Sequence, residues 1–560
     1  MLRLERRKTN MNSRTQFAPF SAWTWNVPEF FNIGVACTDA HYGTPVENQI
    51  AMIVEDDSLG ESQATYADLA TLTSQFAQLI CKHGVVPGDR VLIRLANSLD
   101  YPTAFLGAMK AGAISVPTST LLTAEEVIYL AKDSGAAALT LDHATWTSLA
   151  SHLNELPNVK LVLLSGEGEA ARAPGVTVME LGPSLRAITA WSAPHATRAD
   201  DPAYLVYTSG TTGYPKGVLH AHRALIGREP ASTYWFDFDP NGNDRIMHSG
   251  KFNWTYVLGS GLMDPLYRGK TVIVHEGKND AMLWPRLIAK HHATIFIGVP
   301  TIYRQIVQKT EVARKDVPTL RFCMSAGEHL SDEMLAQWRE RFGVDIFEAV
   351  GMSEFSYYLS QSVFRPIRPG SAGFPQPGHN VKLLDPETLQ EVPGGEEGMI
   401  AIPESDPGLF LRYWNQPEET AKYRKGGWFL TGDYARNDAD GYLWFLGRKD
   451  DIIKSFGYRV SPYEIERVLK SNPEVADCAC VGEEVEKDKL LVVAYVIRQP
   501  GSSVTADELL EFGRQHLATY KAPKAIYFAK DFPRTKNGKI LRREIAPSLA
   551  MAQSKGQMRG

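Results

Sequence analysis

From about Thr65 to Val299, short apolar runs alternate with stretches whose apolar residues recur at helical spacing. Arg90-Val-Leu-Ile-Arg94 is followed by the helix-like Ala104-Phe-Leu-Gly-Ala-Met-Lys-Ala111 and then by Ala113-Ile-Ser-Val-Pro117. The runs Ala137–Leu141, Val159–Leu164, Ala203–Val206, Thr271–Val274 and Thr294–Ile297 continue the pattern. Runs this short, apolar almost throughout and often β-branched, predict strands covered on both faces, and the helices between them predict crossover connections. The expected class is α/β, with a large N-terminal domain of mostly parallel, helix-covered sheets.

After Gly441 the chain changes character. Gly447-Arg-Lys-Asp-Asp-Ile-Ile-Lys454 is charged and predicts a linker. Beyond it, strands at Leu490–Ile497 and Ala525–Phe528 and helices at Pro462–Leu469 and Ala506–His516 predict a small α+β domain. The expected division is residues 1–447, a hinge at 448–451, and a mobile C-terminal domain over 452–560. Gly166-Glu-Gly-Glu-Ala-Ala171 follows an apolar run and loosely matches a dinucleotide loop, but Ala173-Pro-Gly175 interrupts the helix that loop requires, so it reads as a plain loop.

Composition narrows the field modestly. With 560 residues, 44% hydrophobic and 22% charged, the chain can bury a large core and a second smaller one. A net charge of −5 gives no argument for a nucleic-acid or membrane-surface partner. No apolar run approaches the roughly 18 residues of a membrane span. The five cysteines form no CxxC pair, which fits a reducing compartment and a cytoplasmic location; Cys478 and Cys480 alternate along a strand and should share one face. The opening MLRLERRKTNMNSR is basic without an apolar segment and reads as a tail or a start upstream of Met11, with an organellar presequence as the alternative.

The chemistry concentrates at Tyr207-Thr-Ser-Gly-Thr-Thr-Gly-Tyr-Pro-Lys-Gly-Val218. Glycines permit close backbone approach, successive N–H groups form an anion nest, and Thr208, Ser209, Thr211 and Thr212 add neutral donors around Lys216. The stretch is a phosphate cradle. It is not a Walker loop: Gly210 and Gly213 are too close, proline precedes the lysine, and Gly217 stands where a magnesium-binding hydroxyl belongs. The string resembles the signature loop of the adenylate-forming superfamily, which includes acyl- and aryl-CoA synthetases, luciferases and peptide-synthetase adenylation domains.

Further motifs carry the same resemblance, in family order, up to Ile540. Gly351-Met-Ser-Glu354 resembles the second signature, which implies that Glu354 helps to ligate Mg2+ beside Ser353. Ser325-Ala-Gly-Glu-His329 resembles the turn that flanks adenine, implying Gly327 and Glu328 on one face and Glu348 to Gly351 on the other. Thr431-Gly-Asp433 resembles the segment whose aspartate takes both ribose hydroxyls, a role suited to a pure acceptor. Gly447-Arg-Lys-Asp450 resembles the family hinge, with Arg448 on ribose or phosphate and Asp450 absorbing the rotation. Pro533-Arg-Thr-Lys-Asn-Gly-Lys-Ile540 implies that Lys539 bridges carboxylate and α-phosphate during adenylation.

The resemblance implies two half-reactions: an acid and ATP give acyl-adenylate and pyrophosphate, and a thiol then displaces AMP. Rotation of the small domain is expected to withdraw Lys539 and present Ser455-Phe-Gly-Tyr-Arg459, with Gly457, Tyr458 and Arg459 at coenzyme A. The expected activity is a soluble, AMP-forming acid:CoA ligase. Transfer to a carrier-protein thiol and a non-catalytic AMP-binding relative are the alternatives. Glycine at 351, where acetyl-CoA synthetases carry tryptophan, implies room for more than acetate. Lys251-Phe-Asn-Trp-Thr-Tyr-Val-Leu-Gly259 resembles the matching stretch of benzoate-CoA ligases, so Phe252, Trp254, Val299 and Gly351 are expected to form the acyl pocket. A small aromatic or alicyclic acid, or a short-to-medium-chain one, fits best. Pro533 and Gly538-Lys539 also match the context in which related ligases are inactivated by lysine acetylation, implying an acetyltransferase and a deacetylase as partners. The sequence leaves the oligomeric state open, a homodimer included.

Overall fold

The computed structural model describes residues 23–168, 173–189, 192–208, 215–240, 242–327, 330–448, 451, 453–455, 458–486, 489–519, 521–534, 540–542 and 544–545. The alternation of apolar runs resolves into two large sheets. One has the order Arg412–Tyr413, Lys216–Ala221, Pro202–Thr208, Ile114–Pro117, Arg90–Arg94, Ala138–Asp142, Leu161–Ser165, Thr177–Glu180. Its strands from Pro202–Thr208 onward run parallel, whereas Lys216–Ala221 folds back antiparallel on Pro202–Thr208. The other runs Phe374–Pro375, Ser356–Ser360, Ile346–Met352, Phe322–Ala326, Ile295–Gly298, Arg245–His248, Thr271–Glu276, Ile50–Asp56, Gly60–Thr65, parallel except at its two edges.

Helices Tyr66–Lys82 and Asp100–Lys110 share one core with both sheets: Met52 and Val274 from one, Val91, Ile93 and Leu163 from the other, and Phe76, Phe105 and Met109 from the helices. A helix apolar on all sides must be covered on all sides, and every residue from Tyr101 to Lys110 is buried. Lys110 is tolerated there because its ammonium meets Asp39 at 2.7 Å, Ser74 Oγ and the Ala70 carbonyl. Most of the expected strands appear within one or two residues of their predicted limits, and Gly166 turns the chain at φ +88°, as a loop should.

A third sheet was not anticipated by the pattern. Lys382–Leu384, Gly398–Pro403, Trp428–Asn437 and Arg424–Lys425 pair antiparallel, with Leu443–Arg448 on the far side of Trp428–Asn437. It delivers the segment expected to bind ribose. Beyond Arg448 the small domain comprises the pair Ile453–Ser455 and Tyr458–Val460, the sheet Val475–Glu486, Lys489–Arg498, Ala525–Phe528, and helices Pro462–Lys470 and Ala506–His516. Cys478 and Cys480 share one buried cluster, as their alternation requires. The small domain touches the large one through Arg467 to Asp332 at 2.8 Å and Phe445 against Tyr463.

Candidate active site

The candidate residues collect at the carboxyl ends of parallel strands, where open α/β sheets place ligands. Thr208 and Lys216 face each other at the loop end of the hairpin Pro202–Thr208 and Lys216–Ala221. Gly327 follows Phe322–Ala326 with φ +97°, Val299 follows Ile295–Gly298, and Gly351 to Glu354 close strand Ile346–Met352. Ser209, Gly210, Thr211, Thr212, Gly213, Glu328, Asp450, Gly457 and Lys539 lie outside the described residues, and for Tyr458 and Arg459 only the strand they occupy is described.

The strand after the phosphate loop braces the second signature. His220 Nε2 donates to the Ser353 carbonyl at 2.8 Å while its ring stacks on Tyr204, 4.6 Å between centroids. Burial pushes the His220 pKa down to about 3, so the ring is neutral and its single N–H is committed to that bond. Thr255 Oγ1 lies 3.4 Å from Ser353 Oγ, tying the stretch after Trp254 to the same loop.

Two side chains absent from the sequence expectations hold the polar groups in place. The Tyr413 hydroxyl donates to Glu354 Oε1 at 2.7 Å, and the Phe410 N–H donates to the Glu354 carbonyl at 2.9 Å. Burial and the adjacent Glu354 carboxylate push the Tyr413 pKa up, so the hydroxyl keeps its proton and remains the donor. Lys216 pairs with Glu419, and its ammonium stands 5.7 Å from the centre of the Tyr413 ring. No local signal in Arg412-Tyr-Trp-Asn-Gln-Pro-Glu-Glu-Thr420 points to these contacts. They arise because Arg412–Tyr413 adds to the sheet edge beside Val218 and Leu219.

Asp433 is buried in strand Trp428–Asn437, opposite Arg448 in the register, with Arg448 Nε 3.5 Å from Oδ1. Gly432 turns the backbone at φ +79° so that the Asp433 N–H reaches Thr431 Oγ1 at 3.1 Å. Burial opposes the Arg448 charge, but the Asp433 and Glu354 carboxylates outweigh it and raise its pKa. Glu348 accepts from the Leu330 N–H at 2.8 Å.

The expected acyl-pocket residues separate. Trp254 is half-buried, and a side chain at Gly327 would begin 3.5 Å from its six-membered ring, so these two residues form one wall. Val299 is half-buried at the start of helix Pro300–Lys309. Phe252 is fully buried, 5.1 Å from Tyr101 between ring centres, and packs in the core behind the wall. Gly351 is exposed, but a Cβ there would lie 2.0 Å from the Ser356 carbonyl. Its first constraint is therefore the close approach of strand Ser356–Ser360, where Ser356 itself has φ +59°. Behind Trp254, the Tyr256 hydroxyl and His248 Nε2 have no hydrogen-bond partner among the described residues.

Mg2+ suits this donor set. Hard divalent cations prefer carboxylate oxygen, Glu354 is half-buried at the strand ends, and among the described residues no cation lies within ion-pairing distance of it.

Comparison with known proteins agrees with this geometry. The family described as AMP-binding enzyme matches residues 38–414, and that described as AMP-binding enzyme C-terminal domain matches residues 464–539. The benzoate–CoA ligase of Thauera aromatica is 33% identical over 490 residues, 85% of this chain and 89% of that protein. The mitochondrial acyl-coenzyme A synthetase ACSM3 of Mus musculus is 28% identical over 539 residues, 93% of this chain and 90% of that one. Among solved structures, the anthranilate CoA ligase AuaEII in complex with anthranoyl-AMP superposes with a TM-score of 0.84 at 28% identity, covering 94% of this chain and 99% of that one. Both domains, the phosphate-loop hairpin and the Glu354 and Asp433 segments thus occur together in one chain, which belongs to the AMP-binding enzyme family, in its branch of ATP-dependent, AMP-forming acyl- and aryl-CoA ligases.

Proposed function

We propose that this chain activates a small aromatic or alicyclic carboxylic acid as its adenylate and transfers the acyl group to coenzyme A. The observation that carries the substrate class is the Trp254 indole, whose six-membered ring lies with its edge 3.5 Å from where a side chain at Gly327 would begin. A half-buried aromatic wall beside Gly327 suits a flat ring as its neighbour. The relatives support the class: among them are benzoate and hydroxybenzoate ligases, and the AuaEII structure holds anthranoyl-AMP. Arg228, buried beside Gly259 and Tyr357, has its charge balanced by Asp264 through bonds of 3.0 and 2.9 Å, which disfavours its use for a second carboxylate.

In this reading Thr208 and Lys216 hold the β- and γ-phosphates, Asp433 and Arg448 orient the ribose, and Gly327 and Glu348 frame adenine. Magnesium, when bound at Glu354, supplies neutralisation of phosphate charge. Tyr413 keeps the Glu354 carboxylate oriented, and Lys539 joins the two anions during adenylation. The small domain then turns about Asp450 so that Gly457, Tyr458 and Arg459 meet the thiol substrate. Acetylation of Lys539 removes the charge that bridges the anions; normal pyrophosphate release from acetylated protein would refute that regulation.

A short-to-medium-chain acid is the second reading, supported by the likeness to ACSM3. The deciding experiment compares kcat/KM for benzoate, hydroxybenzoates, anthranilate, cyclohexanecarboxylate, butyrate and octanoate. The ring acids should lead by at least tenfold. Butyrate or octanoate in the lead would replace the first reading with the second.

A further inference from the structure

Lys216 does not stand free at the phosphate loop. Its side chain is only 13% exposed and is held by Glu419, whose own side chain is 16% exposed. Glu419 belongs to the first turn of helix Pro417–Tyr423, and that helix is anchored where the Thr420 hydroxyl accepts from the Tyr413 N–H at 3.0 Å. The same tyrosine presents its ring to the Lys216 ammonium and its hydroxyl to Glu354. Glu419, Lys216, Tyr413 and Glu354 therefore form one continuous chain of contacts from helix to metal carboxylate.

Glu419 has a second cation. Lys422 Nζ lies 2.6 Å from its other oxygen and is 69% exposed. If Lys216 leaves, the carboxylate keeps a partner and is not stranded as an uncompensated, partly buried charge, which is the costly outcome when one member of a shielded pair is removed. A carboxylate is also a good mimic of phosphate oxygen for an ammonium group.

We propose that Glu419 is a positioning residue for nucleotide binding: it holds the Lys216 ammonium in the place of phosphate oxygens and releases it to the phosphates of the incoming nucleotide, while Lys422 takes over the carboxylate. The proposal rests on the reading that Lys216 meets nucleotide phosphate. Exchange of partners sets the affinity for ATP and pyrophosphate, because each must displace Glu419 before it gains Lys216.

The test is calorimetric titration of the full-length protein with ATP and, separately, with pyrophosphate, with magnesium present and no acid or coenzyme A. Glu419→Gln and Glu419→Ala should each tighten both ligands by about fivefold or more. Glu419→Asp should stay within about twofold of the unmodified chain, and the gain from Glu419→Gln should vanish when Lys216→Ala is added. Unchanged or weakened binding in both Glu419→Gln and Glu419→Ala overturns the exchange and leaves Glu419 a structural group. If the unmodified protein binds neither ligand, the reading of Lys216 as a phosphate group falls first and the exchange falls with it. An activity assay alone would not separate these cases, since faster binding and slower pyrophosphate release act oppositely on turnover.

Discussion

At the scale of single residues, the site depends on groups that point at other site residues and not at substrate. Tyr413 is the clearest case, because its hydroxyl fixes one oxygen of Glu354. A hydrogen bond to a charged group contributes about 1.5–3 kcal/mol, so Tyr413→Phe should raise the half-saturating magnesium concentration roughly tenfold while leaving the KM for the acid within about twofold. Magnesium titration of pyrophosphate release measures this; a changed acid KM with unchanged magnesium demand would deny the assigned role. Gly351 has a different logic. With 2.0 Å between a would-be Cβ and the Ser356 carbonyl, Gly351→Ala must displace a strand, and overpacking of that kind costs about 1–3 kcal/mol. Urea unfolding should show that loss, whereas a glycine kept only for pocket space would leave stability unchanged. The motifs singled out Gly351 for the room it leaves in the acyl pocket; the neighbour that a side chain there would meet lies on a strand whose register no local pattern specifies.

At the scale of elements, strand Lys216–Ala221 joins two signatures that are far apart in the chain. Its first residue, Lys216, pairs with Thr208 across the hairpin, and its fifth, His220, donates to the Ser353 carbonyl. His220→Ala removes that bond and the stack on Tyr204 together. It should cost about 2–4 kcal/mol of stability, from the orphaned carbonyl and the cavity. Its kcat should fall at least tenfold with a smaller change in acid KM, and steady-state kinetics beside denaturant unfolding would show whether loop position or only stability was lost. The parallel strands were legible because each is buried on both faces and reads as an unbroken apolar run, as in Leu161–Ser165. The antiparallel sheet was not legible. Lys382–Leu384 and Arg424–Lys425 are too short to show a period, and Trp428–Asn437 carries a register shift between Tyr434 and Ala435 in its pairing with Leu443–Arg448 that breaks alternation. Tyr413 and Glu419 escaped notice for the same reason: their meaning is set by a two-residue edge strand.

At the scale of the whole molecule, three buried histidines set the response to acid. Burial pushes His220, His222 and His248 from 6.5 down to about 3. The folded chain therefore binds fewer protons at these rings than the unfolded chain between about pH 3 and 6.5, so stability is lost as pH falls through that window and is fully present above it. Each ring contributes up to about 1.4 kcal/mol per pH unit once pH is well below 6.5. Denaturant midpoints measured from pH 7.5 to 5 should hold steady above pH 6.5 and drop steeply below it; a flat profile would mean that these rings are protonated in the fold. Product stoichiometry tests the assigned reaction most directly. With ATP, magnesium, coenzyme A and the best ring acid, AMP, pyrophosphate and acyl-CoA should form in equal amounts, and omission of coenzyme A should suppress AMP release while enzyme-bound acyl-adenylate accumulates. Release of ADP and phosphate, or AMP release that ignores coenzyme A, would contradict the account.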